Sequence, residues 1–131
     1  MTHKKSRDCM LFIEYPKSTT CRKAKKYLVD KGINFTARDI KEDNPTEAEI
    51  REWQPKSGKE LKAFFNTSGQ IYRSEQLKDR LPSMSEEEKI SLLAANGMLV
   101  KRPILVLSDT VLVGFKEAEW EAALVRNGLL K

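Results

Sequence analysis

The sequence is poor in residues that ligate metals or form disulfides. Histidine occurs once, as His3 in a polar N-terminal segment, and the 131 residues include two cysteines, Cys9 and Cys21. The usual four-ligand zinc site cannot be assembled from this set, so we expect no metal. Two cysteines permit at most one disulfide, whereas disulfide-stabilised secreted domains usually carry four or more. We therefore expect free thiols and a cytoplasmic protein.

Long hydrophobic runs are also absent. The longest, at 10–13 and 104–107, are much shorter than the ~20 residues that a membrane-spanning helix needs. The polar residues 1–7 do not resemble a signal peptide. These features predict a soluble chain with no membrane partner. A length of 131 residues with 40% hydrophobic content suits one compact, monomeric domain over 1–131.

The net charge of +5 comes from 24 basic residues interspersed with 19 acidic ones. This mixing indicates a solvated surface rather than a block that binds nucleic acid. Four cations do gather within 22–26, at Arg22, Lys23, Lys25 and Lys26. No aromatic residues alternate with them to stack on bases, so we expect no direct binding of nucleic acid.

The first part of the chain predicts a β-α-β unit. An apolar run at 10–15 predicts a strand that Pro16 ends, and 19–31 predicts a helix that Gly32 ends. Alternating side chains at 33–40 predict a second strand. A helix between two strands implies that the strands pair in parallel.

The middle of the chain, 43–97, predicts a helical insert. Two capping boxes, Thr46 with Glu49 and Ser85 with Glu88, each precede helical periodicity. Between them lie an apolar stretch at 61–65, a turn at 66–69 and a short helix around 75–80.

The last part of the chain predicts a β-β-α unit. Strands are expected at 104–107 and 111–113 with a turn between them, followed by a helix at 116–125. The whole order, β-α-β, insert, β-β-α, is that of an α/β, thioredoxin-like fold with a four-stranded mixed sheet. The core is expected at 10–42 and 98–126.

Three separated motifs resemble the arsenate reductase (ArsC) and Spx family over residues 10–126. They are Ser18-x-x-Cys21, the sequence Asn-Thr-Ser-Gly at 66–69, and Gly-Met-Leu-Val-Lys-Arg-Pro-Ile at 97–104 followed by Val-Gly-Phe at 113–115. The chain is most similar to the ArsC-like branch with a Cys-x-x-Cys motif, here Ser-x-x-Cys. Family members carry the nucleophilic cysteine at the position of Ser18, so the resemblance implies that serine replaces it. A natural loss and a deliberate cysteine-to-serine exchange both fit this sequence.

The resemblance also implies which residues form the site. Arsenate reductases hold the oxyanion with three arginines, of which Arg102 matches one, while the other two positions fall on Asn66 and near Phe115. Arsenate reduction is therefore not expected. The family places a cis-proline, here Pro103, against the loop that carries Ser18 and Cys21. Thr19 and Thr20 of that loop are then expected to contact substrate.

The residues themselves leave several roles open. Ser18 is either an N-cap that accepts a hydrogen bond from an amide near Thr20 or Cys21, or a residue with a chemical role. Cys21 shares a helical stripe with Ala24 and Leu28, which predicts a buried, inert thiol. Its first-turn position beside cations predicts instead a reactive thiolate. Cys9 has neither setting and is interpreted as incidental.

Arg102 and Pro103 also have a second interpretation, in which Pro103 only starts an edge strand and Arg102 is solvated. Otherwise Arg102 is positioned to bind a carboxylate, phosphate or sulfate, such as a carboxylate of glutathione.

Two functional classes follow from the resemblance. The first is a protein related to thiol-disulfide oxidoreductases, with Cys21 as the remaining thiol, Arg102 as the group that stabilises an anion, and Ser18 in place of the nucleophile. It would have no bound cofactor, would use glutathione or thioredoxin as reductant, and would act on a protein or small-molecule thiol or disulfide. The alternative is a redox-sensing transcriptional regulator similar to Spx, which binds RNA polymerase.

Overall fold

The structure is a computed structural model that describes residues 10–130. Its strands form one mixed sheet: β1 (Leu11–Glu14), β2 (Thr36–Asp39), β3 (Ile104–Val106) and β4 (Val111–Val113). The order is β2-β1-β3-β4, with β1 and β2 parallel and β3 antiparallel to both β1 and β4. This confirms the predicted α/β, thioredoxin-like arrangement.

The helices are α1 (Thr19–Asp30), α2 (Glu47–Ser57), α3 (Gln70–Ser74), α4 (Leu77–Arg80), α5 (Glu86–Ala95) and α6 (Glu117–Arg126). Short 3-10 helices cover Leu61–Phe64, Leu81–Ser83 and Gly97–Leu99. Within the described range, no helix is both long enough and apolar enough to cross a membrane.

Both predicted capping boxes are present. Thr46 and Ser85 each accept a hydrogen bond from the backbone three residues later, and the side chains of Glu49 and Glu88 accept one in return. Each box satisfies two backbone donors that the helix itself leaves free. The two capping boxes therefore start α2 and α5 at the positions that the sequence predicts.

The second strand is shorter than the predicted 33–40. After α1, Gly32 donates to the carbonyl of Val29 and Ile33 donates to that of Leu28, which is the Schellman pattern of a helix end. Ile33 is thus used to end α1. The first ladder hydrogen bond comes only at Thr36, whose N–H donates to Met10.

The insert also differs in detail from the prediction. Residues Gln70–Ser74 form α3, which the sequence analysis missed, and the helix expected around 75–80 begins only at Leu77. Gln76 separates the two helices because it takes a left-handed backbone conformation, with φ at 53°.

The sheet separates two hydrophobic cores. Ile13 and Ile104, paired in the β1–β3 register, face a core built with the insert, while Phe12 and Leu105 face a core built with α1 and α6. Alternate residues of one strand point to opposite faces, so each strand contributes to both cores.

One end of the sheet brings three segments of the chain together. Because β1 and β3 are antiparallel, the loop that leaves β1 meets the segment that enters β3. The insert joins them through a bridge between Phe65 and Val100 and a hydrogen bond from Asn66 N to Leu99 O. The candidate site lies at this junction.

Candidate functional site

A cleft of about 300 Å³ opens where the three segments meet. Ser18 and Thr20 line it from the start of α1, Asn66 from the insert, Arg102 from the approach to β3, and Phe115 from the exit of β4. Residues from four separated stretches of sequence therefore share one concave surface. Of the six predicted site residues, Ser18, Thr20 and Arg102 line this cleft, whereas Thr19, Cys21 and Pro103 do not.

Ser18 is the N-cap of α1. Its hydroxyl oxygen accepts a hydrogen bond from the backbone N–H of Cys21 at 3.3 Å, and its own N–H donates to Tyr15 at 2.8 Å. The N-cap interpretation is confirmed. Ser18 is half-buried and lines the cleft, so the residue that caps the helix also borders the space open to a ligand.

Cys21 is fully buried. Its Sγ accepts a hydrogen bond from the backbone N–H of Tyr15 at 3.4 Å, and Ala24 and Leu28 are buried along the same stripe of α1. The predicted stripe is confirmed. In this conformation solvent does not reach the sulfur.

Arg102 is half-buried and held from two sides. Its Nη1 donates to the carbonyls of Met98 and Val100 at 3.0 and 3.2 Å, and its guanidinium lies 5.2 Å from the centre of the Tyr15 ring. Burial lowers the pKa of the Arg102 guanidinium, while nearby Cys21 and Tyr15 oppose that change. An arginine with a lowered pKa is still cationic near neutral pH.

The charge of Arg102 has no acidic partner. Among residues 10–130, no carboxylate forms an ion pair with this guanidinium. A half-buried cation without a counter-ion, aimed into a cleft, is suited to bind an anion.

The peptide bond between Arg102 and Pro103 is cis, as the resemblance implies. Pro103 is buried and precedes β3, which is an inner strand of the sheet. The alternative in which Pro103 starts an edge strand and Arg102 is solvated is therefore wrong.

Three of the four cations expected around Cys21 contact other partners, and the fourth, Lys23, is exposed. Arg22 donates to the carbonyl of Pro16 at 3.0 Å, Lys25 pairs with the buried Glu14 at 3.0 Å, and Lys26 pairs with Asp30 at 2.9 Å. None of these contacts involves the Cys21 sulfur, so a positive setting supplied by this run stays a prediction.

Two cleft residues escaped the sequence analysis. Lys101 and Lys116 are exposed and line the cleft beside Arg102 and Phe115. The Lys101 side chain lies across Gly114, so a Cβ at position 114 would come within 2.9 Å of its Cε. Gly114 also has a φ of +79°, which favours glycine. The available signal was that Lys101 lies within the motif at 97–104 and that Lys116 directly follows the motif at 113–115.

The cleft can bind an anion but lacks the groups for acyl or phosphoryl transfer through serine. It offers hydroxyls, an amide and three cations, and no histidine or carboxylate among residues 10–130 is hydrogen-bonded to Ser18 to act as its base. No cluster of three or more histidine, cysteine, aspartate or glutamate side chains in the same range could hold a metal. Cys9 and His3 lie outside the described residues.

Comparison with known proteins identifies the family. The ArsC family model matches residues 13–123. The uncharacterised protein YusI of Bacillus subtilis is 47% identical over 112 residues, which are 86% of this chain and 95% of YusI. The global transcriptional regulator Spx of Staphylococcus aureus is 28% identical, over 86% of this chain and 84% of Spx. A solved structure of a putative ArsC family related protein from Bacteroides fragilis is 53% identical with a TM-score of 0.85, covering 86% of this chain and 95% of that one. The chain belongs to the ArsC family.

Proposed function

We propose that this protein is related to thiol-disulfide oxidoreductases, and that its cleft binds an anionic thiol or disulfide next to Cys21. Ser18 takes the place of the nucleophilic cysteine, Arg102 holds the anionic group of the ligand, and Thr20 contacts the ligand. The observation that supports this function best is the cleft shared by Ser18 and the unpaired Arg102, together with the hydrogen bond that joins Ser18 to the backbone of Cys21.

The chemistry would run through Cys21 alone. A serine hydroxyl near a helix N-terminus does not ionise without a base, whereas a thiol can. The Cys21 thiolate would attack one sulfur of an external disulfide, forming a mixed disulfide and releasing the other sulfur as a thiolate. A second external thiolate would then attack the ligand's sulfur in the mixed disulfide, restoring the Cys21 thiolate and forming a new external disulfide. No internal resolving thiol is involved.

Glutathione or thioredoxin is the external thiol that this cycle requires. Glutathione carries two carboxylates, and Arg102 with its two neighbouring lysines offers matching charge. A cytoplasmic setting goes with this proposal because thiols stay reduced there. The burial of Cys21 adds one condition, namely that the first turn of α1 must open before the sulfur reacts.

A second function is favoured by two observations. The relative named Spx is a transcriptional regulator, and the arginine positions that the resemblance implies for arsenate reduction hold Asn66 and Phe115 here. The burial of Cys21 also argues against frequent turnover, since reactive cysteines are at least partly exposed. In this alternative the chain binds RNA polymerase, and oxidation of Cys21 alters that binding.

The alkylation rate of Cys21 against pH, followed by peptide mass spectrometry, tests the site. The alkylation of Cys9 is quantified separately from its own peptide in the same digest. We expect Cys21 to react at least 100-fold more slowly in the folded chain than in urea, because the sulfur must first become exposed. In the Ser18→Cys variant, the new thiol should reach half its maximal rate well below pH ~8.5, since it lies at a helix N-terminus near Arg102.

Adding Arg102→Met to Ser18→Cys supplies the control. It should move the half-maximal pH of the position-18 thiol upward towards that of a free cysteine. A position-18 thiol that titrates like a free cysteine with Arg102 intact would contradict the proposed site.

Two further assays separate the two functions. Oxidised glutathione should modify Cys21 of the unaltered chain, and reduced glutathione should remove the adduct, both read by intact mass and digestion. Modification confined to Cys9 would refute disulfide exchange at Cys21. Retention of purified RNA polymerase by the immobilised chain, lost on oxidation of Cys21, would support the regulator instead.

A further inference from the structure

A second, wider groove adjoins the cleft at Ser18. Its volume is about 670 Å³, more than twice that of the cleft, and Lys101, Val113 and Lys116 line both. The two concavities are therefore adjacent, with these three residues between them. Lys101 lies at the junction, held across the backbone of Gly114.

The groove is rich in positive charge. Lys59 and Lys62 line it from the insert, Lys101 and Lys116 line it from the cleft side, and all four are exposed. Among residues 10–130, none of these four lysines forms an ion pair. Glu60 and Glu119 also line the groove, so four cations face two anions and the local charge is +2. Lysines left without counter-ions around one concavity attract anionic groups.

Other lining residues limit the kind of ligand. The half-buried Ala63 and the largely buried Val113 also line the groove, so part of its floor is apolar. A simple oxyanion would leave most of 670 Å³ unfilled. An extended polypeptide fits better, because its side chains alternate in direction and can present carboxylates to the lysines and apolar groups to the floor.

Nucleic acid fits less well. Glu60 and Glu119 would repel a continuous row of phosphates, and the groove exposes no aromatic ring for bases to stack on, since Phe65 is only 1% exposed.

We propose that this groove binds an acidic, extended segment of a partner protein. The segment would pair with Lys59 and Lys62 at one end and with Lys101 and Lys116 at the other, where it enters the cleft beside Ser18. This binding depends on the lysines and the groove floor, and it stands whether or not Cys21 exchanges disulfides.

Fluorescence anisotropy with two labelled decapeptides tests the proposal on the full chain. One probe consists of aspartate, glutamate and two leucines, and the other replaces the acidic residues with asparagine and glutamine. We expect the acidic peptide to bind at least tenfold more tightly than the neutral one, with an affinity that falls as salt is added.

A double variant, Lys59→Glu with Lys62→Glu, removes charge from the groove without touching the cleft. It should weaken binding of the acidic peptide about tenfold, because two attractive charges become repulsive. The matched control is Lys23→Glu with Lys41→Glu, which makes the same change in net charge at exposed lysines outside both concavities and should weaken binding less than about twofold. Circular dichroism verifies that both variants fold.

Three outcomes would overturn the proposal. The first is equal binding of the neutral peptide, and the second is equal weakening by the control pair. The third is a ten-nucleotide oligothymidylate that displaces the acidic peptide at a lower concentration than unlabelled peptide does, which would indicate a nucleic-acid groove instead.

Discussion

Gly97 lies where the insert returns to the sheet, with its backbone against that of Ile40. A Cβ at position 97 would overlap the carbonyl oxygen of Ile40 and lie 2.8 Å from its carbon and 2.9 Å from Asn44 Cβ. Two of these three atoms belong to backbone, which cannot move aside as a flexible side chain does. Glycine is thus required here for space.

We predict that Gly97→Ala lowers the free energy of unfolding by about 3 kcal/mol, because the added methyl group must push two backbone segments apart. Gly58→Ala is the control, since a Cβ there meets open space and only the φ of +68° disfavours alanine. That variant should cost about 1 kcal/mol. Urea denaturation measures both, and equal losses would show that the Ile40 backbone adjusts.

Tyr27 carries a buried hydroxyl without a hydrogen-bond partner among residues 10–130. Its ring packs against Phe115, with 5.7 Å between ring centres, beside the cleft. Burial raises the pKa of the Tyr27 hydroxyl, and Glu121 and Glu117 raise it further. The folded chain therefore favours the neutral form of the Tyr27 hydroxyl. A phenylalanine ring would fill the same space without the unpartnered hydroxyl.

We predict that Tyr27→Phe leaves stability unchanged or raises it by up to about 1 kcal/mol, because no hydrogen bond is lost and a buried polar group is removed. Its raised pKa implies that Tyr27 costs the native chain stability once the pH rises above about 10, the ordinary tyrosine value. Urea denaturation at pH 7 and pH 10.5 measures both effects. A clear destabilisation at pH 7 would mean that the hydroxyl does have a partner.

The start of α2 is held by two interactions that share one carboxylate. Glu49 accepts from the backbone of Thr46 in the capping box and also receives two hydrogen bonds of 2.7 Å from the Arg38 guanidinium. Arg38 further donates to the carbonyls of Asp43 and Asn44 and thereby connects β2 to α2. Its hydrogen bonds are the main reason that the pKa of Glu49 lies below its usual range.

We predict that Glu49→Gln lowers stability by about 1.5 kcal/mol at pH 7, since the amide can keep the capping box but not the charged pair. Because the folded-state pKa of Glu49 lies below the unfolded value of about 4.3, the carboxylate stabilises the fold above that pH. This contribution disappears as the pH falls through the folded-state pKa. The difference between the two chains should therefore shrink between pH 5 and pH 3.

Glu87→Gln is the matched control for that experiment. Glu87 of α5 forms an exposed pair with Arg51 of α2, and its pKa is also lowered by that arginine. Exposed pairs contribute little. A pH dependence equal to that of Glu49→Gln would show that burial of the Arg38 pair has no special effect.

Local signals explain why some elements were predicted well. The capping boxes at Thr46 and Ser85 and the helix-ending Gly32 act within a few residues of sequence, so they were read correctly. The length of β2 depends on where the chain first reaches Met10, and α3 has neither a side-chain cap nor a long apolar stripe. Those features are decided by tertiary packing.

The site shows the same division. Ser18 as N-cap and Cys21 as a stripe residue follow from local spacing, and the family motif led to Arg102. The positive setting assigned to residues 22–26 stays a prediction, because Lys25 and Arg22 contact Glu14 and Pro16 across the β1–α1 junction, whereas Lys23 is exposed. Lys101 and Lys116 line the same cleft because the chain turns at Gly114 and brings the second lysine near the first. Their separation in the sequence does not predict this proximity.

The two cores on either side of the sheet hold one tryptophan each. Trp53 is buried in the core with the insert, and Trp120 is buried in the core with α6, where its Nε1 donates to Gly114 at 2.9 Å. The strands contribute side chains to both cores, so neither can be dismantled while the sheet stays intact. Two natural probes thus report on opposite halves of the molecule.

We predict that both halves unfold together as one domain over the described residues. The sequence has two tryptophans, so each single variant keeps one. The tryptophan fluorescence of Trp120→Phe comes from Trp53, and that of Trp53→Phe comes from Trp120. Each variant should be less stable than the native chain because a buried ring is replaced by a smaller one. Within each variant, however, the fluorescence midpoint in urea should equal the midpoint from circular dichroism.

The fluorescence and circular dichroism midpoints are compared within one variant. The loss of stability caused by the substitution therefore shifts both midpoints equally. If Trp53 reported an earlier midpoint than circular dichroism, the insert 43–97 would be a separate unit that loosens while the sheet persists. The wall that carries Asn66, Lys59 and Lys62 would then open independently of Ser18 and Arg102. Coincident transitions would instead mean that the lysine groove and the cleft are held by the same cooperative structure, and that a ligand bound to either stabilises both.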